Sequence, residues 1–145
     1  MCGTEVEAFW EVAWDSRIEA LIGAKISQPA SQSLWELMAM FLALEVFASE
    51  CLDRGMLLCG GNLAALEAAA NLRGRGPAAA ITREVAWRRA ARRWRYAVAH
   101  VPTEANDIAD SLSRLHAPEP AAFPAVCRGA RQVPLPAWEE LFLTL

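Results

Sequence analysis

Eight arginines fall between Arg73 and Arg95 against the single acid Glu84, a local net charge of +7. Guanidinium groups grip phosphate oxygens in a planar, two-pronged fork, so a cluster this dense is a candidate nucleic-acid surface. Arg83, Arg88, Arg89, Arg92 and Arg93 are the candidate phosphate contacts. Trp87, Trp94 and Tyr96 are interleaved with them. Aromatic rings can stack on bases, but core packing accounts better for the two tryptophans. The bland alternative is a solvated helix face. The whole chain carries a formal net charge of only -3, which by itself does not advertise a nucleic-acid binder. Its acids lie mainly in the first third and between Glu104 and Asp110, and phosphate contacts depend on the local charge.

Other reactive residue types offer less. Cys59-Gly60-Gly61-Asn62 has the look of a phosphate-binding turn but lacks the further glycine and the lysine of a P-loop. Cys2, Cys51, Cys59 and Cys127 show no C-x-x-C spacing, and His100 and His116 do not complete a zinc set, so buried reduced thiols are expected. Glu36 stands three residues after Ser33, the spacing of a capping box. Asp110 is spaced to pair with Arg114 one helical turn on, and His100 ends an apolar run before a turn.

These residues need elements to hold them. Residues 5–14 read as a strand or a short helix, and Ile18, Leu21 and Ile22 predict a short helix over 15–24. A helix over 33–48 is apolar around most of its circumference and must be buried on more than one side, with a sheet as the expected partner. Met56 to Cys59 reads as a buried strand, followed by a helix that Asn62 caps. A second, arginine-rich helix spans about 79–95, with Trp87, Ala91 and Trp94 on one face. Tyr96 to Val101 reads as a strand, and Thr103 is a candidate cap for a helix over 104–115. From Ala117 the chain is Pro-rich and reads as a tail with one short amphipathic element over 138–143. Alternation of helix and strand argues for an α/β fold with a partly parallel sheet. No apolar stretch reaches the roughly 20 residues a membrane helix needs, and no leader peptide is visible, so a soluble intracellular protein is expected.

His100-Val101-Pro102-Thr103-Glu104-Ala105-Asn106-Asp107-Ile108-Ala109-Asp110-Ser111-Leu112-Ser113-Arg114-Leu115 strongly resembles the closing segment of retroelement reverse transcriptase ribonuclease H domains, H-V-P-G-x-x-N-x-x-A-D-x-L-S-R. Upstream, Glu36 within Leu34-Trp35-Glu36-Leu37 is similar to the helical glutamate of that family. Met56 to Asn62 is similar to its fourth strand and S-D-N turn, and Arg83 to Trp87 to the stretch before its last strand. The likeness runs from Gln28 to Leu115, and more weakly over 9–26.

The resemblance implies a ribonuclease H-like mixed sheet flanked by helices, in which four carboxylates hold two Mg²⁺ ions that cut the RNA strand of an RNA–DNA hybrid. It assigns Glu36 and Asp110 as catalytic and metal-ligand positions, with His100 at the rim of the site. Two expected acids are missing. The opening strand with its aspartate has no counterpart, because Asp15 precedes Glu36 by only 21 residues, too few for a three-strand meander. Gly61 stands where the family has the aspartate after its fourth strand. Asp107, one turn before Asp110, could add charge.

The expectation is therefore a partial ribonuclease H-like domain over 1–116 with its opening strands missing or incomplete, and a Pro-rich C-terminal tail over 117–145. Such a domain binds or formerly cleaved RNA in RNA–DNA hybrids, is catalytically impaired and holds Mg²⁺ weakly or not at all. Its partners are a hybrid or other nucleic acid and the remainder of a reverse transcriptase polyprotein, with no membrane involved. The competing reading is a non-enzymatic nucleic-acid-binding or interaction module built on the Arg-rich helix 83–95. Loss of the opening strand also predicts exposed strand edges, unless residues 5–14 replace it.

Overall fold

The computed structural model describes residues 5–26, 28–51, 54–102 and 106–142. It is mixed α/β, with two small parallel sheets, and divides into two compact units. The larger unit comprises 14–101 and 136–145 and the smaller 1–13 and 102–135.

In the larger unit, helix α1 (Ser16–Ile22) begins where the Asp15 carboxylate accepts hydrogen bonds from the backbone N–H groups of Arg17 and Ile18, and ends at Gly23 with φ 81°. Helix α2 (Gln32–Phe47) is the centre of the unit, with Leu37, Met38, Phe41, Leu42 and Leu44 almost fully buried. Each such side chain contributes roughly 1.5–3 kcal/mol by leaving water. The expected Ser33–Glu36 capping box does not form. A 3₁₀ turn at Pro29–Ser31 runs straight into α2, so Ser33 lies inside the helix and has no cap to make.

Strand β2 (Met56–Gly60) pairs in parallel with β3 (Tyr96–His100), from Met56 opposite Tyr96 to Gly60 opposite His100. The crossover between them is α3 (Leu63–Asn71) and α4 (Pro77–Arg92). Asn62 caps α3 as its type predicts, accepting from the Ala65 N–H at 2.9 Å, and Pro77 opens α4. Helix α2 packs chiefly on α3 and α4 rather than on a sheet, although Met40 closes on Gly60 of β2 so tightly that a Cβ there would lie 3.0 Å from its Cε. The buried-strand expectation for β2 holds for one face only. Leu58 and Gly60 are buried, whereas Leu57 is 58% exposed. Among the described residues β2 pairs with β3 alone, which leaves its other edge free.

The C-terminal helix α6 (Trp138–Leu141) belongs to this unit. Trp138 packs beside Trp14, which packs beside Trp35, at ring separations of 5.9 and 5.3 Å. Leu141 and Phe142 are buried, with Phe142 edge-on to Phe41.

In the smaller unit, strand β1 (Ala8–Phe9) pairs in parallel with β4 (Arg131–Gln132), and helix α5 spans Asp107–Ser113. Residues 5–14 therefore do not replace a missing partner of β2. Phe9 meets Phe123 edge-on at 5.6 Å, Cys127 is buried in a 3₁₀ turn, and His116 contacts the Glu11 carboxylate. Helix α5 starts later than expected, at Asp107, and Thr103, its candidate cap, lies outside the described residues. Cys51 and Cys59 are half-buried and Cys127 is buried; Cys2 lies outside the described residues.

Candidate nucleic-acid interface

Helix α4 divides the arginines into two groups. Its inward stripe is Ile81, Glu84, Val85 and Arg88, a spacing of three, one and three residues that follows one side of the cylinder. Arg88 is fully buried. Its Nη1 donates to Glu45 Oε2 and its Nη2 to the Glu140 carbonyl, both at 2.9 Å, while its guanidinium lies 5.0 Å from the Phe41 ring centre. Its Nε stands 3.9 Å from the equally buried Glu84 carboxylate. Arg92 Nη1 contacts both oxygens of Glu45 at 2.8 and 2.9 Å. Arg88 therefore corrects the expectation of a phosphate contact. It clamps α2, α4 and the chain at α6 together, because a buried charge must be paired and its pair came from residue 45. Arg92 remains half-exposed but is committed to Glu45.

The outward face carries Arg83, Trp87 and Ala90, all exposed, with Arg89 on its flank; Arg93, also exposed, follows the helix as its C-cap with φ 56°. Trp87 is 48% exposed, which corrects its expected place on a buried face with Trp94; Trp94 is buried. Among the described residues Arg83 and Arg93 make no ion pair or hydrogen bond, and Arg89 lies over the Tyr96 ring at 4.9 Å. The Tyr96 hydroxyl donates to the Ala69 carbonyl at 2.6 Å, and burial raises its pKa above the usual value, partly offset by Arg89. Because Glu84 points inward, no acid interrupts this face of α4. It presents guanidinium groups near an exposed indole, with Arg89 engaged by Tyr96, and is suited to phosphate and base contacts.

The carboxylate positions present a different picture. Glu36, half-buried on α2, accepts from Gln32 Nε2 at 3.2 Å. Asp110 lies on α5 in the smaller unit and pairs with Arg114 at 2.5 Å, as its spacing predicted. Asp107 opens the same helix. His100 is exposed at the end of β3, opposite Gly60 and beside the Gly61 turn. Gly61 lacks a carboxylate but not the room for one, since the nearest atom to a Cβ there would be the Val101 carbonyl oxygen at 3.8 Å. Among the described residues no three His, Cys, Asp or Glu side chains gather around one point. With Gly61 bare and both remaining acids engaged by neighbours, this donor set does not fit a paired magnesium centre. No helix among the described residues is long and apolar enough to cross a membrane.

Comparison with protein-family models, with curated proteins and with solved structures returns no match for this chain.

Proposed function

We propose that the chain is a nucleic-acid-binding domain of ribonuclease H-like descent that holds RNA–DNA hybrids through the outer face of α4 and cuts them poorly or not at all. The observation that carries this reading is the acid-free strip of Arg83, Arg89 and Arg93 around exposed Trp87. The likeness of His100 to Leu115 to the closing segment of retroelement ribonuclease H domains supports the choice of hybrid, and the parallel β2–β3 pair joined through α3 and α4 is compatible with it. Phosphate contacts by arginine need no metal and survive the loss of catalytic acids. The remainder of a reverse transcriptase polyprotein is the natural companion of such a domain.

A gel-based assay with a labelled RNA–DNA hybrid in Mg²⁺ or Mn²⁺ tests both halves of the proposal. Retention of the hybrid that weakens steeply with salt, with the RNA strand left intact, is the expected result. Robust cutting that Asp110→Asn abolishes would overturn the claim of lost catalysis, and salt-insensitive retention would overturn the claim of phosphate contact.

A further inference from the structure

A cavity of about 360 Å³ opens between the start of α2, the outer side of α3 and the α3–α4 turn. Its size falls at the lower end of the range for small-molecule sites. The walls are small and apolar, chiefly alanines with Leu34, Leu37 and Pro77, and no carboxylate lines it. Its lining residues with polar side chains are Arg73, Arg75, Ser31 and Ser33, all of which carry hydrogen-bond donors. Among the described residues none of these four side chains makes a hydrogen bond or an ion pair.

The turn that presents the arginines is tightly packed. A Cβ on Gly74 would lie 2.6 Å from the Ala78 backbone, so only glycine lets the turn seat against α4 with an arginine on each side. An acid-free cavity with two guanidinium groups excludes a metal cation and favours an anion. Two forks and two hydroxyls offer more donors than the two oxygens of a carboxylate can use, whereas a phosphate monoester presents three acceptor oxygens and a double charge.

We propose that this cavity binds a small phosphate monoester with a flat, largely apolar body, of the size of a nucleoside monophosphate. The phosphate lies between Arg73 and Arg75, and the body lies against the alanine wall of α3. The same chemistry is carried by a free mononucleotide and by the 5′-phosphate end of a nucleic-acid strand. This inference stands apart from the α4 surface, which uses none of these residues.

Calorimetric titration of the full chain with adenosine 5′-monophosphate, adenosine and inorganic phosphate tests it. The monophosphate binds saturably and adenosine at least roughly tenfold more weakly, the loss expected for charge-assisted hydrogen bonds. Arg73→Ser with Arg75→Ser removes that preference, and Ala64→Phe, at an exposed wall position, blocks binding while circular dichroism stays unchanged. A strand that competes better with a 5′-phosphate than with a 5′-hydroxyl identifies the strand end as the source; failure of that difference identifies the free nucleotide. Equal binding of the monophosphate and adenosine, no saturable binding of any phosphate-bearing probe, or monophosphate affinity untouched by the double arginine variant overturns the proposal. Hybrid binding through α4 survives the double variant, so the two readings fail separately.

Discussion

The two sides of α4 use the same residue for opposite ends. On the inner side Arg88 has lost all contact with water and is held by Glu45, Glu84, a carbonyl and an aromatic ring. Arg83 on the outer side and Arg93 at the helix C-cap are exposed and without partners among the described residues. An arginine run is thus not one feature. Its charge becomes part of the architecture where an acid from elsewhere in the chain meets it, and part of a binding surface where none does.

The sharpest break of this contrast is Arg88→Ala. Removing Arg88 takes the neighbouring guanidinium from the fully buried Glu84 and leaves Glu45 with Arg92, and costs about 3–5 kcal/mol, read as a drop in the urea midpoint. Arg83→Ala, on the other side of the same helix, stays within about 0.5 kcal/mol of the parent. The tryptophans repeat the test with apolar surface. Trp94→Ala destabilises by about 3–5 kcal/mol because it empties a buried site. Trp87→Ala leaves stability within about 0.5 kcal/mol of the parent in the same urea titration, because the indole is half-exposed.

How much of this was readable from the chain differs from one residue to the next. Asn62 as a cap and the Asp110–Arg114 pair are local, and local hydrogen bonding and helical spacing decide them. The Ser33–Glu36 cap was equally local and still failed, since the turn at Pro29 moved the helix start upstream. The facing of α4 was not readable, because the residues that draw Arg88 inward lie 43 positions before it and 52 after it. With those partners absent from view, burying Arg88 in preference to Trp87 contradicts ordinary hydropathy. The β1–β4 pair is two residues long on each side and carries no periodicity to detect. For the site, the arginine cluster was visible, but its division into clamp and surface was not.

The smallest expected effects come from titration. The backbone N–H of Ile18 is the main influence holding the Asp15 carboxyl below its usual pKa, with Trp138 and Arg17 assisting. A pKa lower in the folded state contributes stability that is present above the unfolded value and is lost as pH falls through the folded value. The urea midpoint should therefore decline as acid is added below the ordinary carboxylate range, and part of that decline should vanish in Asp15→Asn. Tyr96 acts in the opposite sense, since its raised pKa favours the neutral phenol of the folded state. Its contribution is present below the unfolded value and is lost as pH rises through the folded one, an alkaline decline that Tyr96→Phe removes.

The most direct test of the division of α4 is the salt dependence of hybrid binding, measured by fluorescence anisotropy for the parent and for Arg83→Gln/Arg89→Gln/Arg93→Gln. Each lost phosphate contact should reduce the slope of log K against log salt by about 1, so the triple variant should lie about 3 units shallower with its urea midpoint preserved. An unchanged slope in a folded triple variant would contradict the account.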